Sequence, residues 1–364
     1  MSLRVIIAGG GTGGHIFPAI AIANAIRDMR PNASILFVGA KGKMEMEKVP
    51  KAGYRIIGLD IAGFNRSSLI KNIGLPWKII KSLWQTRNIF KEFLPDVVVG
   101  VGGYASFPML QAAQRKGIPT LIQEQNSYAG KANSFLAKKA RVVCVAYDGM
   151  QRFFPVEKLV RTGNPVRKAI SESTITRSEA LAFFGLRSDQ KVLLVVGGSL
   201  GAKSVNAAIA KGLDAFTAES VQLIWQTGKP FHAEALQAAA GNPDVKVFDF
   251  IEQMEMAYAA ADVVVSRAGA LAIAELCVAA KPVVFVPYPF AAEDHQTVNA
   301  EQLLAQQACL MISDAAAAEK LVPTVLALVK DEKQCEVLSN SIAQLGVKDA
   351  DQRIAHEVIR MSGK

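Results

Sequence analysis

At 364 residues, 51% hydrophobic and 20% charged, the chain is too long for one hydrophobic core and too apolar for disorder, so two folded domains are expected. A formal net charge of +9 asks for an anionic partner: a nucleotide, a nucleic acid or an anionic lipid surface. No run of about 18 uncharged apolar residues occurs, which excludes a spanning helix.

Residues 5–8, Val-Ile-Ile-Ala, read as a buried strand. They run straight into Gly9-Gly10-Gly11-Thr12-Gly13-Gly14-His15, where a signal peptide would continue its apolar stretch. Residues 16–29 follow as a helix. Glycines there let backbone N–H groups approach a ligand closely, and a helix N-terminus adds partial positive charge, which together favour phosphate. Residues 34–39 read as a second strand, 44–51 as a short helix and 55–59 as a third strand.

Residues 64–93 differ from the rest. Arg66, Lys71, Lys78, Lys81, Arg87 and Lys91 occur with no acidic residue between them, interleaved with Leu75, Trp77, Trp84 and other apolar side chains. A basic amphipathic segment with indoles suits a membrane surface. It equally suits an ordinary helix that packs one face on a sheet, and the two readings are compatible.

Residues 96–100 form a strand entering a second glycine turn, Gly102-Gly103-Tyr104, with a helix to about 116. A strand over 117–122 leads into Gln123-Glu124-Gln125-Asn126, then a helix over 130–138 and a strand over 141–145. Alternation of this kind predicts a parallel sheet covered on both faces. Residues 147–165, with Pro155, Gly163 and Pro165, read as the passage into a second domain.

The second half restates the first. Residues 191–202 repeat strand, glycine turn and helix, 261–266 repeat 95–100, and the strand after Pro282 answers the one after Pro119. An α/β protein of two similar doubly wound domains is therefore expected: 1–163 and 164–345, with a tail over 346–364 whose helix packs back on the first. The four cysteines, Cys144, Cys277, Cys309 and Cys335, are scattered with no C-x-x-C and no nearby histidine pair, which argues for reduced thiols and against structural zinc.

Three glycine motifs compete. Gly9-x-Gly11-x-x-Gly14 matches the dinucleotide fingerprint, but the second strand ends Val38-Gly39-Ala40-Lys41, without the acidic residue that would hold a ribose. Gly197 to Ser204 nearly matches a P-loop, but Ala202 replaces the closing glycine. Other blocks suit a nucleotide-sugar: Arg167 in Gly163-Asn-Pro-Val-Arg167 for a diphosphate, Glu275 at the start of a helix after Gly269 for ribose hydroxyls, and polar residues around His295 and Gln296 for a sugar.

These blocks, taken in order with Gly-Gly-Tyr104, Gln-Glu-Gln-Asn126, Gly-Gly-Ser199 and Arg-Ala-Gly-Ala270, resemble the MurG family of bacterial N-acetylglucosaminyltransferases from about residue 4 to residue 360. The resemblance implies a GT-B architecture, two Rossmann-like parallel-sheet domains facing an interdomain cleft, with inverting stereochemistry and neither metal nor cofactor. It implies transfer of N-acetylglucosamine from UDP-GlcNAc to lipid I, the undecaprenyl-diphosphoryl-muramoylpeptide, by a peripheral protein on the cytoplasmic face of the membrane. A dehydrogenase using NADP and other GT-B transferases, such as those acting on macrolides and lipids, are the alternatives. No nucleic-acid partner is expected, because the cations of the 64–91 stretch lack a stacking groove.

Carried over by motif, Ile251 backbone would hold the uracil and Glu275 the ribose. Ser199 and Arg167 would meet the diphosphate. Asn126, Ala270, Leu271, Ala272, His295 and Gln296 would line the sugar, and Thr12, Gly13 and Gly14 would close over the donor. Gly11, Gly103 and Tyr104 would hold the acceptor diphosphate, and Leu75, Trp77, Lys78, Lys81 and Trp84 would touch an anionic membrane surface. His15 is the expected general base and Glu124 its alternative. His295 and Ala272 depart from the glutamine and threonine that the family pattern leads us to expect.

Overall fold

The computed structural model describes residues 2–61, 75–103, 105–198 and 200–364. The chain divides into two compact units, Met1–Val166 with Asp349–Lys364, and Arg167–Lys348.

In the first unit seven parallel strands, β1 (Arg4–Ala8), β2 (Ser34–Ala40), β3 (Arg55–Leu59), β4 (Val97–Gly100), β5 (Thr120–Glu124), β6 (Val142–Val145) and β7 (Leu159–Arg161), pair in the order β3-β2-β1-β4-β5-β6-β7. From Val5 to Ala8, β1 is apolar because both its faces are covered. Val5 and Ile7 pack with Phe37, Val97, Val99 and Ile22 and Ile26 of the helix Gly13–Met29. Ile6 and Ala8 point the other way, onto Leu36, Val38, Val98 and Met109 and Leu110 of the helix Ser106–Arg115. The helix Ala350–Ser362 joins the first of these cores through Ile354, Ala355 and Val358 and packs on Gly13–Met29.

β7 is an edge strand that sequence reading assigned to a passage. β5 starts later than expected, at Thr120, because the left-handed Gly117 and the backbone bond from Ile118 to Ala113 still belong to the preceding helix end. That shift puts Glu124 inside the strand.

The second unit repeats the plan. β8 (Lys191–Val196), β9 (Val221–Gln226), β10 (Val245–Phe248), β11 (Val263–Ser266), β12 (Val283–Phe285) and β13 (Leu310–Met311) pair in parallel in the order β10-β9-β8-β11-β12-β13. In each unit the strand order reverses between two central neighbours, β1 and β4 in one, β8 and β11 in the other. The turns leaving their carboxyl ends border the crevice where doubly wound sheets bind ligands. Those turns carry the glycine motifs.

Candidate active site

In the first unit the helix Gly13–Met29 begins earlier than expected. Thr12 is an extended cap residue (φ −142°, ψ 159°), so Gly13, Gly14 and His15 form the first helical turn. That turn leaves leading amides without helical partners and is suited to an anion. His15 Nδ1 lies 3.0 Å from the Gly10 carbonyl oxygen and 3.3 Å from Thr12 Oγ1. A carbonyl only accepts, so Nδ1 carries the proton and Nε2 is the basic nitrogen of the neutral ring.

The second glycine turn packs against both groups. A Cβ on Gly102 would stand 2.8 Å from the His15 ring, and one on Gly103 would stand 2.2 Å from the Gly10 carbonyl oxygen. Both residues also have left-handed φ, +88° and +83°, so glycine is required twice over.

Glu45, which sequence reading passed over, is the buried centre of this region at 1% exposure. Its Oε2 accepts the Gly11 amide at 2.8 Å and its Oε1 accepts the Ala40 amide at 2.9 Å. The carboxylate missing from the end of β2 is thus supplied from the next helix, but it is engaged by backbone and not offered to ribose hydroxyls. The Gly11 amide, expected to face an acceptor diphosphate, is likewise taken. Tyr104 lies outside the described residues.

Glu124 is 3% exposed and accepts hydrogen bonds from Asn133 Nδ2 (2.8 Å), the Asn126 amide (3.2 Å) and Asn126 Nδ2 (3.4 Å). Burial pushes its carboxyl above the ordinary range, against the lowering effect of those donors. The same bonds hold Asn126, which is half-buried. Beside it Gln125 Nε2 donates to Val101 O (2.9 Å), Gln123 Nε2 to Asn164 Oδ1 (3.0 Å) and Asn164 Nδ2 to Gln125 O (2.9 Å). Asn164 of the Gly-Asn-Pro-Val-Arg block therefore anchors the end of β5.

In the second unit Arg167 and Glu275 meet fork to fork: Nε donates to Oε1 at 2.8 Å and Nη2 to Oε2 at 3.1 Å. Tyr258 adds its hydroxyl to Oε2 at 3.3 Å. Burial acts to lower the arginine pKa, and the neighbouring Glu275 more than offsets it, so the net direction is up. Tyr258 moves well above its usual value, through burial first and Glu275 second. Both groups hold their expected charge states at neutral pH.

Glu275 lies on the helix Ala270–Ala279, which starts after the extended cap Gly269 and presents Ala270, Leu271 and Ala272 in its first turn. Ile251 is buried and its amide donates to Gln226 Oε1 at 2.9 Å, while Gln226 Nε2 donates to Gly198 O at 3.2 Å. What Ile251 backbone can offer a uracil is its carbonyl. Gln296 Oε1 accepts the Tyr288 amide at 3.0 Å, and His295 opens the helix His295–Leu304 after two left-handed residues, Glu293 and Asp294. Ser199 lies outside the described residues.

Arg267, which opens the Arg-Ala-Gly-Ala270 block but to which the sequence assigned no role, donates from Nη1 to Val286 O (2.9 Å), Pro287 O (3.1 Å) and Asp314 Oδ1 (2.5 Å), and from Nη2 to Ser204 Oγ (3.2 Å). It ties the ends of β11 and β12 to the helix Lys203–Ala218. An arginine directly after a fully buried strand, Val263–Ser266, was the available signal.

Residues 62–74 of the basic stretch lie outside the described residues, as do the side chains of Leu75 and Lys78. On the helix Leu75–Phe93, Trp77 (76% exposed) and Trp84 (65% exposed) stand two turns apart with Lys81, Arg87 and Lys91 on the open side, while Ser82, Thr86, Ile89 and Phe90 are buried. Lys81 Nζ pairs with Asp60 at 3.0 Å, so its charge is partly answered within the protein. Among the described residues no helix is long and apolar enough to cross a membrane, and no group of three or more histidine, cysteine or acidic side chains could hold a metal.

Comparison with known proteins bears on this arrangement. The N-terminal domain of glycosyltransferase family 28 matches residues 5–145 and its C-terminal domain residues 192–354. The UDP-N-acetylglucosamine–N-acetylmuramyl-(pentapeptide) pyrophosphoryl-undecaprenol N-acetylglucosamine transferase of Bacteroides fragilis is 52% identical over 99% of this chain and 96% of its own length. The protein of the same name from Cytophaga hutchinsonii is 50% identical over 98% and 96%. The crystal structure of Acinetobacter baumannii MurG superposes with a TM-score of 0.80 at 29% identity, covering 98% of this chain and 99% of that one. Half of all residues shared along the whole length, on two sheets of the GT-B kind, leave one assignment: the chain belongs to the MurG family of N-acetylglucosaminyltransferases.

Proposed function

We infer that the protein transfers N-acetylglucosamine from UDP-GlcNAc to the C4 hydroxyl of the muramoyl sugar of lipid I, giving lipid II. The observation that carries the substrates is the identity of about half the residues with named transferases over their full length. The observation that carries the chemistry is His15, held by the Gly10 carbonyl with Nε2 as its basic nitrogen.

The C4 hydroxyl oxygen attacks the anomeric carbon while His15 Nε2 takes its proton. The bond from that carbon to the β-phosphate oxygen breaks, and UDP leaves with the electron pair, inverting the centre. Charge on the departing diphosphate is met by the amides of Thr12, Gly13 and Gly14 at a helix N-terminus, by Ser199 and by the positive charge of Arg167. Arg167 also orients Glu275 toward the ribose hydroxyls, and the Ile251 carbonyl accepts from the uracil. Ala270, Leu271, Ala272, His295, Gln296 and Asn126 face the sugar, with Glu124 holding Asn126. Gly103 and Tyr104 meet the acceptor diphosphate.

The exposed Trp77, Trp84, Arg87 and Lys91 face of Leu75–Phe93 supports peripheral docking on an anionic membrane, and the likeness to the family favours its cytoplasmic side. In a vesicle co-sedimentation assay, binding is expected to anionic but not zwitterionic vesicles, to weaken with salt, and to fall when both tryptophans become alanine. Equal binding to both vesicle types would remove this surface from consideration.

The activity itself is tested by release of UDP from UDP-GlcNAc with a lipid I acceptor. His15→Ala is expected to lower kcat by roughly 10²- to 10⁴-fold, the usual contribution of a positioned base. Near-normal turnover in that variant would take His15 out of the chemistry.

A further inference from the structure

Gly10 C=O and Gly11 N–H belong to one peptide group. The carbonyl faces His15 Nδ1 at 3.0 Å, and the N–H donates to Glu45 Oε2 at 2.8 Å. Because the peptide is trans, its C=O and N–H point in opposite directions within one plane. The chain of contacts is therefore carboxylate, peptide, imidazole. Such chains of hydrogen bonds polarise one another: a carboxylate at the N–H end makes the carbonyl at the other end a stronger acceptor.

Several features fit this alignment. Glu45 is on the helix Glu45–Lys51, an acidic residue in a first turn, yet it is almost wholly buried and both its oxygens accept backbone amides. Gly10 has left-handed φ, +142°, and a Cβ there would stand 2.3 Å from the Glu45 carboxyl carbon, so the close approach depends on glycine. Gly102 and Gly103 leave room for the ring and for the Gly10 carbonyl on the other side. The second oxygen, on the Ala40 amide, ties the whole chain to the end of β2 and prevents the peptide from rotating.

We propose that Glu45 is a positioning residue for His15, acting through the Gly10–Gly11 peptide to fix the imidazole with its proton on Nδ1 and to keep Nε2 basic. The effect on turnover rests on the reading of His15 as the base, whereas the effect on the tautomer does not. A neutral amide in place of Glu45 accepts only one of the two backbone protons and turns a donor against the other. The Gly10–Gly11 peptide then loses either its orientation or its polarisation. Partners that orient a catalytic histidine from behind the ring are worth from tenfold to several thousandfold in other enzymes. Acting through an intervening peptide, this one is expected to be worth roughly tenfold.

The experiment records the ¹⁵N ring shifts of His15 in the full-length protein, assigned by their loss in His15→Gln, together with kcat and KM for UDP-GlcNAc. The unsubstituted protein is expected to show one Nδ1–H tautomer. Glu45→Gln is expected to show a mixture of tautomers, with kcat down roughly tenfold and KM nearly unchanged. In a His15→Ala background the same substitution is expected to cost little more, because the two residues act as a unit. An unchanged His15 spectrum in Glu45→Gln, or an equal loss of kcat with and without His15, overturns the proposal. If Glu45→Gln does not fold, Glu45→Asp, which keeps the charge but is too short to reach both amides, is read by the same measurements with an intermediate result expected. If His15→Ala alone retains turnover, the base assignment falls, and the ring spectrum decides the role of Glu45 separately.

Discussion

The fork between Arg167 and Glu275 fixes the orientation of a carboxylate that we propose meets the donor. A carboxylate offers about four lone-pair sites, and Arg167 and Tyr258 occupy three of them, so little freedom is left in how Glu275 can meet a ribose. Glu275→Ala is expected to raise the Kd for UDP roughly 10- to 150-fold, the equivalent of one charge-assisted hydrogen bond of about 1.5–3 kcal/mol, as measured by titration calorimetry. Arg167→Lys should weaken UDP binding as well, since an ammonium cannot form the fork. Unchanged UDP affinity in both variants would separate this pair from the donor. That both residues are candidates for function was legible from their place beside glycines in the chain. Their pairing was not, because 108 residues separate them and nothing local signals it. Glu45 was illegible for another reason: its partners are backbone amides, which every residue carries, so an acid that seals a turn reads like one on a surface.

At the scale of elements, apolar runs and glycines located the central strands well, since strands buried on both faces have few alternatives. Edges and ends were harder. β7 is three residues long and pairs on one side only, so it has no long apolar run, and the Pro155, Gly163 and Pro165 around it read as a passage. The amphipathic helix Leu75–Phe93 was legible as basic and apolar, but its charge balance was not, because Lys81 shares Asp60 with Lys41. Those ammonium groups, Lys41 foremost, hold the Asp60 carboxyl down to about 2. Its folded value lies below the unfolded value of 3.8, so its contribution to stability is present above that value and is lost as the pH falls through about 2. A carboxyl-carbon NMR titration should place the Asp60 midpoint near 2. A midpoint close to 3.8 would show that the two lysines are not held there in solution.

For the whole molecule, the repeated pattern of strand, glycine turn and helix made two parallel-sheet units readable, and the family relationship bears out that fold class. The closing helix Ala350–Ser362 puts Ile354 and Val358, both fully buried, into the core of the first unit. Ile354→Ala is expected to destabilise that unit by about 2–5 kcal/mol, the usual range for a buried isoleucine truncation. Urea unfolding followed with a probe in each unit should show the first transition shifted and the second unmoved. A coincident shift of both would mean that the units unfold as one. The same helix has a consequence for biosynthesis. Residues up to 166 leave the ribosome without the piece that completes their core, and that piece follows only after the whole of Arg167–Lys348 has been made. At about 5–20 residues per second the wait is roughly 10–40 s. A nascent first unit therefore has to keep the apolar face of Gly13–Met29 out of wrong company for that time, while the second unit, continuous in the chain, has all of its own residues as soon as it emerges.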